Sequence, residues 1–195
     1  MALSADKIVQ SALRLLNEIG LDKLSTRRLA SELNVQGPAI YRHFESKADL
    51  LDQMATTMLS AGFSNLEVDE DWKSWLRSMA GRIRNAVLTY RDGARLLIAS
   101  SPSAPRRSKL ADAASLPLVN AGFDIASARL AAVTVFNCVL GWSLNEGNPA
   151  TRRMMIRDFG DIEKAFGEAV EIVIVGVERR RQERGFASGA PASGR

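Results

Sequence analysis

The residues best suited to chemistry lie between Ser25 and Lys47, and the chemistry they suit is contact with a nucleic acid. Residues 23 to 47 hold five basic side chains against two acidic ones, a local charge of +3: Lys23, Arg27, Arg28, Arg42 and Lys47 against Glu32 and Glu45. The whole chain of 195 residues has a net charge of +4. Phosphates attract such a cluster, so this stretch is the first candidate site.

Side chains in this stretch fit two kinds of contact with a duplex. Arg42 and Gln36 are candidates for base edges, because arginine bonds guanine bidentately and an amide suits adenine. Gly37 and Ala39 would let the backbone come close, and Pro38 between them is a further candidate contact. Side chains of a second group are expected to position the phosphate backbone: Thr26, Arg27, Tyr41, Lys47 and His43, the only histidine. Arg28 is either a further phosphate contact or a solvated surface residue.

Two short helical patterns separated by a tight break would position these side chains. Leu29, Ala30 and Leu33 share one face of the first pattern, which Ser25 can cap. Asn34 tolerates a left-handed backbone and can make the break. The second pattern opens at Gly37 and Pro38, since proline suits a first helical turn, and it buries Ile40 and Phe44. This arrangement predicts a helix-turn-helix whose second helix enters the major groove.

An apolar stripe on a helix from Ser4 to Ile19 is expected to cover these two helices. The result is a three-helix DNA-binding domain over residues 1–50, here called the head. A longer helix follows from Ser46 to about Ala61, with Ser46 as its cap and Asp49 as an acidic capping-box partner. Because this helix is long, it can join the head to the remainder of the chain.

The motif in the head resembles the DNA-binding domain of the tetracycline-repressor (TetR) family. The matching positions follow in order across two helices and the start of a third: Thr26, Arg27, Arg28, Leu29, Ala30, Val35, Pro38, Ile40, Tyr41, His43, Phe44, Lys47, Leu50 and Leu51. The resemblance implies an all-α homodimeric repressor that a small ligand releases from a double-stranded DNA operator. It also implies that the long fourth helix transmits the inducer signal.

Helical periodicity continues through residues 51–183, which we predict to be a ligand-binding and dimerisation domain. The fold is therefore all-α, with about nine helices. An acidic break at residues 62–71 separates the fourth helix from those that follow. Helices are expected over 72–90, 94–99, 106–121, 125–145 and 159–181. The last two are long and apolar, so two of them from each subunit would form a symmetric four-helix dimer interface. Residues 184–195 are rich in Gly, Ala and Ser and are predicted to be a disordered tail.

The second half resembles the C-terminal domain of the tetracycline repressors, although its candidate pocket is apolar. The resemblance is carried by residues 90–95, Pro102, residues 121–123 and residues 140–141. It implies a ligand pocket lined by Phe63, Met79, Ile83, Leu97, Pro102, Val133, Phe136, Trp142 and Asn145. Leu97 stands where those repressors have the histidine for the drug-bound magnesium, and Asn145 replaces a supporting acid. We therefore expect no metal, no cofactor, no tetracycline response and a largely hydrophobic inducer.

The alternative for the apolar pocket residues is ordinary core packing, which helical spacing favours equally. A second alternative concerns the whole protein: a helical dimer that sequesters ligands or acts as a scaffold without binding specific DNA. Catalysis is disfavoured because one histidine and one cysteine exclude most His-based, Cys/His and zinc sites.

Composition is typical of soluble globular proteins, and we expect this one in the cytoplasm. Hydrophobic residues make up 46% and charged residues 25% of the chain. Charged side chains interrupt the N-terminus, which therefore predicts neither a signal peptide nor a membrane span. The apolar stretch 125–145 approaches the length of a span, but Arg129 and Asn137 interrupt it. Cys138 is expected to be a small buried hydrophobe rather than a redox sensor.

Overall fold

A computed structural model describes residues 3–63 and 71–188, with side chains for residues 3–60 and 71–183. These residues form ten α-helices, one short 3-10 helix at Leu21–Lys23, and no strands. The helices are α1 (Ala5–Ile19), α2 (Thr26–Glu32), α3 (Gly37–Tyr41), α4 (Lys47–Phe63), α5 (Trp72–Thr89), α6 (Gly93–Ala99), α7 (Ala104–Asn120), α8 (Ile125–Gly147), α9 (Pro149–Phe159) and α10 (Ile162–Ser188). The all-α prediction is confirmed.

The head closes around a small core to which each of its first three helices contributes. Ile8, Leu16, Leu29 and Ile40 have no exposed surface. The Ser4 hydroxyl accepts a hydrogen bond from the Lys7 amide at 3.3 Å, as expected for a cap. Gly20 ends α1 with a φ of 78°, a conformation that glycine adopts without strain.

The larger domain packs around α5 and α8, and α10 lies against both helices. The Trp75 indole on α5 donates to the Ala114 carbonyl on α7 at 2.9 Å. The predicted domain division at residue 50 falls in the first turn of α4, which packs against α1, α5 and α6. A single hydrophobic cluster therefore runs from the head into the larger domain.

Three boundaries differ from the sequence expectation. α4 continues past Ala61 to Phe63, and residues 64–70 of the acidic break, including Glu67, lie outside the described residues. The predicted final helix over 159–181 begins at Ile162 instead, because Gly160 turns the chain with a φ of 71°, and the stretch before it, to which no helix was assigned, forms α9. α10 continues to Ser188, so the first five residues assigned to the tail are helical, and residues 189–195 are not described.

α8 meets the length and composition expected of a membrane-crossing helix among the described residues. One face of α8, which includes Ala128, Val135 and Val139, is buried within the domain. Its N-terminal half also carries Arg129, which pairs with Asp112 of α7. The opposite face, with Leu130 and Val133, is exposed.

Candidate nucleic-acid interface

α3 presents its N-terminus and one side to solvent. Gln36 is the N-cap, and Pro38 occupies the first turn. Among the predicted contact residues, Gln36, Pro38, Tyr41, Arg42 and His43 are exposed, whereas Gly37 and Ala39 are half-buried. A Cβ added to Gly37 would meet no atom within 4 Å, so the space beside it is open. The surface over this turn has room to lie against the wall of a DNA groove.

Local hydrogen bonds fix the angle between α2 and α3. The Ser25 hydroxyl accepts from the Arg28 amide at 3.2 Å and caps α2. Asn34 adopts a φ of 56°, and the Val35 amide donates to the Ala30 carbonyl at 2.9 Å. Asparagine tolerates this left-handed conformation better than most residues. The turn is the one that the sequence predicts.

One side-chain bond joins the two helices on their outer face. The Thr26 hydroxyl lies 3.2 Å from the Tyr41 hydroxyl, between the start of α2 and the end of α3. Thr26 is half-buried and Tyr41 is exposed. Both residues are predicted phosphate contacts, and the bond holds them side by side. Each hydroxyl keeps a lone pair or proton for another partner.

The basic side chains of this face are left unpaired within the described part of the chain. Arg27, Arg28, Arg42 and Lys47 are exposed, and none forms an ion pair with another described residue. Lys47 begins α4, where the Ser46 hydroxyl accepts from the Asp49 amide at 3.1 Å. The predicted capping box requires the Asp49 carboxylate to accept from the Ser46 amide, but it accepts from the Glu45 amide at 3.1 Å instead.

A connection that the sequence analysis missed joins the head to the larger domain. The turn between α5 and α6 packs on the turn after α1. The Asp92 carboxylate accepts from the Leu21 amide at 2.9 Å, and the Asn17 side-chain oxygen accepts from the Arg91 amide at 2.8 Å. We call the contact between residues 17–22 and residues 91–95 the interdomain clasp.

Charge and backbone geometry both support the interdomain clasp. Arg95 donates to Asp22 at 2.6 Å and to Asp92 at 3.2 Å. The hydrogen bond from Arg95, followed by its charge, holds the pKa of the Asp22 carboxyl below its usual range. Asp92 has a φ of 57°. A Cβ on Gly93 would lie 2.2 Å from the Val87 carbonyl oxygen, so this position requires glycine.

The predicted ligand residues occupy several different environments. Met79 and Ile83 are buried on α5, whereas Leu97, Pro102, Phe136 and Trp142 are half-buried. Val133 and Asn145 are exposed on α8, and the Asn145 amide donates to the Gly141 carbonyl at 2.8 Å. The side chain of Phe63 lies outside the described residues. The described part of the chain contains no group of three or more metal-ligating side chains.

Two surface cavities lie elsewhere. One of about 560 Å³ lies in the head between α1 and α2, with Lys7 and Arg14 among its lining residues. The other, a groove of about 780 Å³, lies between α8 and α10 and is lined by residues such as Leu130 and Ile172. None of the predicted ligand residues lines either cavity. Their assignment to a ligand pocket therefore stays a prediction.

Trp142 and Arg84 belong to a cluster where α5, α8, α9 and α10 meet. The Trp142 ring stacks on Phe159 of α9 and meets Phe166 of α10, both with centroids 5.9 Å away. Arg84 is 5% exposed and donates to Glu146 at 2.8 Å and to Glu163 at 2.5 Å. Burial alone would lower the pKa of Arg84, but its hydrogen bonds to the two carboxylates raise it.

Tetracycline repressors from several bacteria are similar to this chain over most of its length. Residues 8–54 match the family model of bacterial regulatory proteins of the tetR family, and residues 65–154 match that of the tetracyclin repressor-like C-terminal domain. The class C repressor of Escherichia coli is 40% identical over 74% of this chain, and the match spans 66% of that repressor, just under two thirds. The class D repressor of Escherichia coli is 31% identical over 90% of this chain and 89% of its own length.

Solved structures agree with these relatives. A TetR variant from Acinetobacter baumannii AYE in complex with minocycline superimposes with a TM-score of 0.79 at 36% identity, covering 92% of this chain and 99% of that one. BioQ with its double-stranded DNA operator gives a TM-score of 0.73 at 28% identity, covering 90% and 98%. These similarities confirm the resemblance seen in the sequence, and the chain belongs to the tetR family of bacterial regulatory proteins.

Proposed function

We propose that this protein is a homodimeric transcriptional repressor that binds a palindromic operator and leaves it when a small hydrophobic molecule binds. The observation that carries the proposal is the unpaired basic face around α3. Cations that have no partner among the described residues remain available to neutralise phosphates, and exposed Arg42 and Gln36 can inspect base edges. A repressor of this kind acts on the chromosome and therefore in the cytoplasm.

Two heads are needed to read a palindrome, and the exposed apolar faces of α8 and α10 favour a dimer. Leu130 and Val133 on α8 are about half exposed. Ile172 and Val175 on α10 are more exposed still. Contiguous exposed apolar side chains are typical of protein interfaces. To read a palindrome, such a dimer must hold its two α3 helices roughly 34 Å apart, so that they enter successive major grooves.

Release by a ligand needs a physical connection from the larger domain to the head. α4 provides one, because it packs on α1 in the head while its Asp52 accepts from Arg106 of α7 at 2.7 Å. The interdomain clasp provides a second connection. A ligand bound among Met79, Ile83, Leu97 and Phe136 would shift α6 or α7. The difference in its affinity for the two conformations of the dimer, which differ in the distance between the heads, would set how strongly it weakens operator binding.

The proposal is tested by selecting bound duplexes from a random pool. The affinity for the most strongly enriched duplex is then measured at increasing salt concentrations. We expect a palindromic consensus, dimeric binding, and an affinity that falls steeply and linearly on a log–log salt plot. The scaffold or ligand-sequestering alternative predicts no enrichment and no salt-dependent complex. Enrichment of a non-palindromic site by a monomer would contradict the dimer while leaving DNA binding intact.

The inducer proposal is tested separately with tetracycline and Mg²⁺. The chain's only histidine is His43 in the head, so the larger domain supplies no imidazole for a drug–metal chelate. We expect saturating Mg²⁺–tetracycline to leave the operator complex intact, whereas a class C repressor measured in parallel is released. Release of this protein at micromolar drug would overturn the apolar-pocket assignment.

A further inference from the structure

The outward face of α10 carries a charge pattern that fits its own reversed copy. Six residues define this stripe: Lys164, Glu168, Ile172, Val175, Arg179 and Glu183. At 100° per residue they fall within about 100° of the helix circumference. Ile172 is 73% and Val175 is 60% exposed, so the centre of the stripe is apolar and uncovered within the protomer.

The spacing of the stripe is symmetric about a point between Ile172 and Val175. Reading outward from that point in either direction, one meets an apolar residue, then a charge, then a second charge. Reversing the helix exchanges Glu168 with Arg179 and Lys164 with Glu183, so each acid meets a base. A helix related to its copy by a perpendicular two-fold axis makes this exchange, because the interface is isologous.

We propose that two copies of α10 cross antiparallel between Ile172 and Val175, so that Glu168 pairs with the partner subunit's Arg179 and Lys164 with the partner subunit's Glu183. The inference rests on the proposed homodimer and specifies its register. Charged pairs at both ends of the stripe would therefore flank an apolar centre. This arrangement matches the apolar core and polar rim of protein interfaces.

Within the described part of the protomer these charged groups are exposed and pair only with each other along α10. Within the described residues, the ion pairs of the four charged side chains run along the helix: Lys164 with Glu168 at 3.9 Å and Arg179 with Glu183 at 3.1 Å. All four side chains are more than 60% exposed. A Cβ on the neighbouring Gly176 would meet no atom within 4 Å, and Gly176 lines the groove between α8 and α10. That groove has room for a partner side chain.

Geometry permits the pairs to form. Glu168 and Arg179 each lie about 8 Å along the helix from the crossing point, at a rise of 1.5 Å per residue. At a crossing angle of about 20°, the two axes have separated by only a few ångströms at that distance. A parallel crossing would instead set Glu168 against the partner subunit's Glu168 and Arg179 against the partner subunit's Arg179. Like charges would then oppose it.

Charge reversal tests the register through forced heterodimers. In Glu168→Lys and in Arg179→Glu, each homodimer contains two like-charge contacts, so we expect sedimentation equilibrium to give a dimer dissociation constant at least about tenfold weaker than wild type. Mixing the two variants creates two attractive contacts and should restore a heterodimer of near wild-type affinity. The double variant should also dimerise normally. Lys109→Glu, an exposed reversal on α7, is the matched control.

The outcomes separate this inference from the proposed function. A wild-type protein that stays monomeric and binds DNA as a monomer overturns both the homodimer and the register. A wild-type dimer whose single reversals behave like Lys109→Glu, or whose mixture forms no heterodimer, overturns the register alone. Circular dichroism checks that each variant is folded.

A second measurement does not depend on charge. In a Cys138→Ser background, Ile172→Cys mixed with Val175→Cys should cross-link on oxidation as a heterodimer. Val175→Cys mixed with Lys109→Cys should not. Equal cross-linking in the two mixtures would overturn the register.

Discussion

The arginines on the exposed face around α3 differ from Arg84 and Arg106 of the larger domain. In the head, Arg27, Arg28 and Arg42 are exposed and form no ion pair with another described residue. In the larger domain, Arg84 is almost fully buried and bonded to two carboxylates, and Arg106 is paired with Asp52. These two regions therefore contain the same side chain in opposite electrostatic situations, while Arg14, elsewhere in the head, pairs with Glu32 at 3.3 Å.

The difference separates charges that stabilise the fold from charges that can bind a ligand. A buried charge is costly without a partner, so Arg84 requires Glu146 and Glu163. An exposed guanidinium is well solvated and contributes little to stability. Its hydrogen-bond donors remain available to phosphates or guanine. Substitutions in the two regions should therefore affect different properties.

The largest expected effect comes from the paired region. Arg84→Met removes the cation and leaves Glu146 buried without its partner, so we expect a loss of about 3 kcal/mol in the free energy of unfolding. Urea denaturation measures this loss. The control Arg77→Ala breaks the exposed Arg77–Glu171 pair and should cost less than about 1 kcal/mol. Equal losses would contradict the distinction between buried and exposed pairs.

Arg42→Ala tests the unpaired region and should leave the unfolding free energy unchanged. If Arg42 reads a base, the variant should lose about 1–3 kcal/mol of discrimination between the operator and a substituted operator. Competition binding with the two duplexes measures the discrimination. Equal losses on specific and random DNA would show that Arg42 contacts phosphates instead.

Asp92→Gly tests the interdomain clasp, which joins the two regions. Glycine keeps the positive φ without strain, while the Leu21 amide loses its acceptor. We expect hydrogen exchange at Leu21 to accelerate about fivefold, corresponding to about 1 kcal/mol. The Phe44 amide in the head is the internal control. Unchanged exchange at Leu21 would mean that this bond does not hold the domains together.

The smallest expected effect belongs to Lys47→Ala. If Lys47 neutralises one phosphate on each half-site, the variant should bind all sequences more weakly and reduce the salt slope by about 0.9 for each phosphate that is no longer neutralised. Specific and random duplexes should bind more weakly by the same factor. An unchanged slope would remove Lys47 from the interface.

Local patterns are enough to predict the head. Ser4 and Ser25 cap the helices that the sequence assigns to them, Asn34 makes the left-handed turn, and Ile40 is buried. The caps and the turn depend on residues within five positions along the chain, and the burial of Ile40 is predicted by helical periodicity. Their outcome is therefore set by local hydrogen bonding and helical periodicity.

Features that depend on distant residues escape such prediction. The interdomain clasp joins Leu21 to Asp92, 71 positions apart, and no local pattern distinguishes Asp92 from another turn aspartate. The sequence pattern does not reveal α9 as a separate helix, because Asn148 at its start and Gly160 at its end are residue types typical of loops. The polar partners of Arg84 are equally hidden, since Glu146 and Glu163 come from two other helices.

The sequence alone determined the all-α class, the helix-turn-helix and its basic face, because periodicity, capping and charge are properties of neighbouring residues. Only the tertiary structure decided which arginines are paired, where the head touches the larger domain, and which apolar faces stay uncovered. Those outcomes depend on how helices pack, since burial and pairing are set by groups that folding brings together from far along the chain.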